Sequence, residues 1–170
     1  MKTKNLVTAS VLLAIGAVLH LIVPGFVAGM KPDFILVTMF FAILLNLDFF
    51  STITIGVVAG ILGAVTTTFP GGQIANVVDK ILTSIFVFGL LKLFAGKDNI
   101  TTIKIMILTV IGTLFSGFIF LSTALIISGL PGSTTFSAMI LAVVIPAAIL
   151  NALLSTIIYK TIKIYQKTIS

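Results

Sequence analysis

The sequence contains no cysteine and no tryptophan, a single histidine, and only four acidic residues, all of them aspartate. Each absence removes a class of chemistry. Without cysteine there is no disulfide, no thiol redox chemistry and no thiolate metal site. One histidine, no glutamate and four scattered aspartates supply no H-E-x-x-H helix, no paired carboxylates and no nucleophile with a base beside it. The nearest approach to a phosphate-binding loop is Gly96-Lys97, but Asp98 follows it and Leu91 stands where the first glycine of that motif belongs. The chain cannot hydrolyse ATP by that route, and neither an enzyme class nor a cofactor is indicated.

Charge of either sign is scarce as well. Charged residues make up 8% of the 170 and hydrophobic residues 59%, and mean hydropathy is +1.32, whereas a soluble domain has about 25% charged residues. No soluble fold covers that much apolar surface. Six apolar segments, at about 6–24, 33–50, 53–69, 73–94, 103–128 and 136–159, have the length a helix needs to cross about 30 Å of hydrocarbon. Lipid-crossing barrels are excluded because their strands alternate apolar and polar residues, and these runs are continuously apolar. The expected fold is an all-α integral membrane protein of six transmembrane helices, in one domain over residues 1–170. The opening MKTK and its apolar run resemble a signal peptide, but the run is longer than the usual core of one and further spans follow, so it reads as an uncleaved first helix.

The net charge of +6 is spread along the chain and does not form a nucleic-acid-binding patch. Lys2, Lys4, Lys92, Lys97, Lys104, Lys160, Lys163 and Lys167 all fall on one side of the six-span arrangement. The positive-inside rule assigns that side, and both termini, to the cytoplasm. Lys31 and Lys80 are the exceptions. The outer connections GFVAGMKPDF, FPGGQ and SGLPGSTT are rich in Gly and Pro, as turns require. Asp48, ahead of Ser51-Thr52, reads as a helix cap, and Asp33, after Pro32, is favourable at the positive end of a helix dipole. Small residues four apart in Ser10-VLL-Ala14, Gly56-VVA-Gly60 and Gly112-TLF-Ser116 mark ridges for close helix packing or, on the first helix, for a partner subunit.

The run FPGGQIANVVDK (69–80) places an Asp and a Lys inside an otherwise apolar span. Intramembrane ionisable residues are functional candidates by default. Residues three and four apart share a helix face, so Gln73, Asn76, Asp79, Lys80 and Thr83 form a polar stripe leading inward from the outer loop. Adjacent positions point about 100° apart, which predicts that Asp79 and Lys80 do not neutralise each other. Asp79 is then expected to pair with Lys31 or with a ligand, and Lys80 to snorkel outward or to contact the ligand. A site with both signs of charge suits a zwitterion. His20, near the outer end of the first span, reaches the same level, and Asn151 in the sixth span reads as interhelical glue.

The blocks GAVLH (16–20), GMKPD (29–33), FPGGQIANVVDK (69–80), LTVIGTLFSG (108–117), SGLPG (128–132) and VVIPAAILN (143–151) resemble the bacterial probable tryptophan transport protein family along essentially the whole chain, with gaps confined to the termini and the inner loop around 96–103. The resemblance implies high-affinity tryptophan uptake across the bacterial cytoplasmic membrane. It also implies a bundle similar to the substrate-binding S components of energy-coupling factor (ECF) transporters, with the site near the outer face. Such a component depends on an ECF transmembrane subunit with two ATPases, which the lack of an ATP site fits. S components often carry Ala-x-x-x-Ala on the first helix, where this chain has Ser10-x-x-x-Ala14.

On that footing Asp79 is expected to hold the substrate ammonium. Lys80 or Lys31, with Gln73, Asn76 and the free N–H groups opening the fourth helix, would hold the carboxylate. His20 completes the polar set, and Phe26, Met30, Phe34 and Phe69 are expected to wall the indole. The alternatives are a self-sufficient proton-coupled transporter using Asp79 or His20, an S component for another small aromatic or vitamin substrate, and an assembly subunit with no ligand.

Overall fold

In lipid every backbone N–H and C=O must be satisfied within the protein, which leaves long helices as the default for continuously apolar segments. The computed structural model, which describes residues 3–24, 31–94 and 100–169, consists of helices joined by short connections and has no strand among those residues. In order these are α1 Thr3–Ile22, α2 Phe34–Leu45, α3 Phe49–Thr66, α4 Gly72–Phe94 and α5 Thr102–Ile127. A 3-10 turn at Pro131–Ser133 leads into α6 Phe136–Met139, a π-helical turn at Ile140–Val144 and α7 Ile145–Ile169. The backbone stays right-handed helical at Ile140 and Ile145, so α6, the π turn and α7 form one continuous rod.

Among the described residues five helices are long and apolar enough to cross a membrane: α1, α3, α4, α5 and the α6–α7 rod. The expected span over 33–50 is different. It resolves into α2, only 12 residues long, or about 18 Å at 1.5 Å per residue, and Phe49-Phe50 belong to α3. Every residue of α2 from Phe34 to Ile43 is buried, because α1, α3, α4, α5 and α7 all pack on it. An apolar run enclosed by protein on all sides reads in sequence like one enclosed by lipid.

The helix starts follow their capping residues. Asp33 accepts from the Leu36 N–H at 2.9 Å, Asp48 from Ser51 at 3.0 Å, and Thr101 from Lys104 at 3.3 Å. The Ser51 backbone N–H, and then its hydroxyl, hold the exposed Asp48 carboxyl below its ordinary value. In the last span Pro146 has no N–H to give the preceding turn and its ring crowds the carbonyl of Ala142, which accounts for the π turn directly before it.

The glycine ridge of α3 faces α4: a Cβ at Gly56 would lie 2.3 Å from Ser84 Oγ, and one at Gly60 2.9 Å from the Val77 Cα. On the outer surfaces the large apolar residues recur at helical spacing, as with Ile149, Leu153 and Ile157 on α7 and Val7, Val11, Ile15 and Val18 on α1. In water such stripes would be an aggregation surface, and in a bilayer they are the lipid-facing side. On α1, Ala9, Leu13 and Ala17 turn inward while Ser10 and Ala14 are exposed.

Candidate functional site

Where α2 and α4 begin, the bundle holds a half-open cavity of about 290 Å³, close to the lower end of the about 300–1,000 Å³ typical of small-molecule sites. Its polar side is built around Lys80. The Lys80 Nζ donates to Asp79 Oδ2 at 2.8 Å and to Asp33 Oδ2 at 2.9 Å, with Lys80 only 2% and Asp79 only 1% exposed. The expectation that the adjacent Asp79 and Lys80 do not neutralise each other is therefore corrected. Their backbone vectors do diverge, but four methylenes let the ammonium turn back across the helix surface until both groups meet. Nor does Lys80 snorkel outward, because the cap of α2 supplies a second carboxylate inside the bundle.

Asp79 is anchored from three sides. Thr83 Oγ1 donates to its Oδ1 at 2.9 Å, while Ser116 Oγ, at 2.9 Å, and Lys80 donate to its Oδ2. Asp33 is more open, its side chain 29% exposed. Its backbone N–H donates to Asn151 Oδ1 at 2.7 Å, and Asn151 Nδ2 donates to Thr113 Oγ1 at 3.2 Å. One network thus joins the start of α2 to α4, α5 and α7. The two carboxylates and one ammonium leave a single excess negative charge.

Lys31 pairs with neither aspartate. Its ammonium donates to the His20 carbonyl, among the last of α1, where a cation meets the negative end of the helix dipole. The His20 side chain borders the cavity, and its Nδ1 is buried with no hydrogen-bond partner among the described residues.

The opposite wall is apolar and aromatic. Phe69 meets Phe120 edge to face, ring centroids 5.2 Å apart, with Leu121, Met139, Val143 and Val144 nearby on the same cavity. Gly117 lets the π turn close against α5, since a Cβ there would lie 2.4 Å from Val144 Cγ1.

Of the residues singled out in the sequence, the cavity brings together His20, Lys31, Phe69, Asn76, Asp79 and Lys80. Gln73 is exposed and stands off the cavity wall, and Phe34 is buried away from it. Met30 and Phe26 lie outside the described residues. Sequence reasoning missed Asp33 as an ion-pair partner, together with Thr113, Ser116 and Phe120. The last three carried a signal: at i, i+3 and i+7 they share one face of α5, and two are polar in an apolar span.

Among the described residues, five membrane-length helices surround a half-open cavity with charged and aromatic lining, the arrangement of a multi-pass membrane protein. A family model described as tryptophan transporter TrpP matches residues 2–167. A probable tryptophan transport protein of Clostridium acetobutylicum is 48% identical over 163 residues, 96% of this chain and 94% of that protein. One from Bacillus subtilis is 48% identical over 163 residues, covering 96% and 92%, and one from Clostridium perfringens is 42% identical over 170 residues, covering 95% and 92%. No solved structure matches the chain. The chain belongs to the tryptophan transporter family.

Proposed function

We propose that the chain is the substrate-binding subunit for high-affinity tryptophan uptake across the bacterial cytoplasmic membrane, S-component-like, with the cavity as its site near the outer face. The observation that carries this reading is the juxtaposition of an ionic cluster, open through Asp33, with an aromatic wall at Phe69 and Phe120. A zwitterion with a large aromatic side chain complements both. Asp79, whose two oxygens already take three donors, holds Lys80 in place and supplies negative potential. Asp33 receives the substrate ammonium, and Lys80, with one of its three N–H groups still to place, meets the carboxylate together with Lys31. His20 Nδ1 offers a further polar contact at the same level. The exposed Ser10 and Ala14 leave a small-residue ridge on α1 open to a helix of an ECF transmembrane subunit, whose two ATPases would supply the energy.

Because the chain has no tryptophan of its own, ligand fluorescence tests this directly. Added to the purified chain, tryptophan should shift its emission to shorter wavelength and gain anisotropy, saturating at one equivalent. Asp33→Asn, which keeps a helix-capping side chain, should weaken binding by about tenfold or more, since a hydrogen bond to a charged group contributes about 1.5–3 kcal/mol. An unchanged spectrum with well-folded protein would show that this chain does not bind tryptophan. Uptake by proteoliposomes with and without an ECF module then decides the energy source, and uptake driven by a proton gradient alone would replace the S-component reading with a secondary transporter.

A further inference from the structure

Asn76 lies one turn before Asp79 and Lys80 on α4, and its side chain is oriented by its own helix. Its Nδ2 donates to the Gly72 carbonyl at 2.9 Å. A reversed amide would set two carbonyl oxygens against each other, so this bond determines which atom is left over. The remaining Oδ1 is directed toward Gly63 on α3: a Cβ at residue 63 would lie 2.8 Å from it. Both residues border the cavity. No donor among the described residues reaches this oxygen, although Asn76 as a whole is 9% exposed. On the cavity lining and without such a protein donor, the carbonyl has an open lone pair for a donor from whatever fills the space.

Its position says which donor. Gly72, the anchor of the amide, sits beneath the aromatic pair, for a Cβ there would lie 3.1 Å from Phe69 Cβ and 3.4 Å from Phe120 Cζ. Asn76 therefore stands between the aromatic wall and the ionic cluster, one helical pitch, about 5.4 Å, from the latter. In tryptophan the N–H likewise belongs to the five-membered ring, the part of the aromatic system nearer the zwitterionic head group.

We infer that Asn76 Oδ1 accepts the indole N–H and is the group that separates tryptophan from other aromatic amino acids; this rests on the proposed role of the cavity as the tryptophan site. Gly63 keeps the space beside the acceptor clear. A ligand without the N–H fills the same volume but leaves the oxygen unpaired, and sites built around a hydrogen bond discriminate strongly against such analogues.

The test uses the purified full chain and β-(3-benzothienyl)alanine, which replaces the indole N–H by sulfur at nearly constant shape, as a competitor of bound tryptophan. The wild-type chain should prefer tryptophan by about tenfold or more. Asn76→Leu should bring that ratio close to one by weakening tryptophan alone, and Gly63→Ala should lower it in the same direction. Equal affinities in the wild-type chain would overturn the inference without any variant. So would an Asn76→Leu variant that binds both ligands more weakly by the same factor, the signature of a residue that only secures the start of α4. Wild-type chain that binds tryptophan but fails either comparison removes Asn76 from its role and leaves the proposed function standing, whereas failure to bind tryptophan removes both.

Discussion

Lys80 is the residue on which the ionic cluster depends. Its ammonium is enclosed at 2% exposure between Asp33 and Asp79, both within 2.9 Å. Taking these charges out of water is costly, and their mutual attraction and the hydrogen bonds from Thr83 and Ser116 offset that cost. Removing one partner is far worse than removing a pair. Lys80→Met should lower stability by about 3–5 kcal/mol, since it leaves the buried Asp79 carboxylate, with that of Asp33 beside it, without a cation. Adding Asp79→Asn to the same chain should recover part of the loss, because interacting groups are not additive. Thermal unfolding of the detergent-solubilised variants reads both effects, and a double variant as unstable as the sum of the singles would contradict the coupling.

At the scale of elements, the α3–α4 pair holds the stripe of Asn76, Asp79, Lys80 and Thr83 in register with the rest of the bundle. Their approach is close because α3 presents Gly56, Gly60 and Gly63 to α4. The position of Gly60 is the least forgiving, since its neighbour at 2.9 Å is the Val77 Cα, a backbone atom that cannot turn aside. Gly60→Ala should therefore push the two helices apart, at a cost of about 1–3 kcal/mol, and should weaken tryptophan binding in parallel. Gly89 on α4 is the control, because a methyl group at that position would meet nothing within 4 Å. Gly89→Ala should leave binding unchanged and stabilise by up to about 1 kcal/mol through helix propensity. Equal effects of the two substitutions in unfolding and binding measurements would remove the close-packing argument.

For the molecule as a whole, the lysine distribution makes a prediction about sidedness. Gln73 and Thr134 are exposed at one end of the bundle, and Thr101 and Lys160 at the other. The absence of native cysteine means that single cysteines can be placed at each without background. Gln73→Cys and Thr134→Cys should react with an impermeant maleimide in intact cells, and Thr101→Cys and Lys160→Cys only after permeabilisation. External labelling at Thr101 would invert the bundle and direct the cavity toward the cytoplasm.

Local rules acting along the chain determined a good deal by themselves. Continuous apolar runs with few charges require a helical membrane protein, because only such segments satisfy their backbone in lipid. The cap at Asp48 was legible because a side-chain oxygen three residues before a free N–H is a contact within one turn, and Asp33 marked a helix start because a carboxylate suits the positive end of the dipole. Asp79 and Lys80 stood out as candidates because ionised groups are costly in hydrocarbon. Other features rest on contacts between residues far apart in sequence. That α2 is a 12-residue core helix was decided by the five helices around it, since burial in protein and in lipid select the same side chains. Lys80 reaches Asp33, 47 positions earlier, and Ser116 reaches Asp79, 37 positions later. These pairings depend on how glycine ridges set the helix separations and on how far a flexible lysine stem can bend. Periodicity along one helix specifies which face is buried, and only the packed bundle specifies what that face meets.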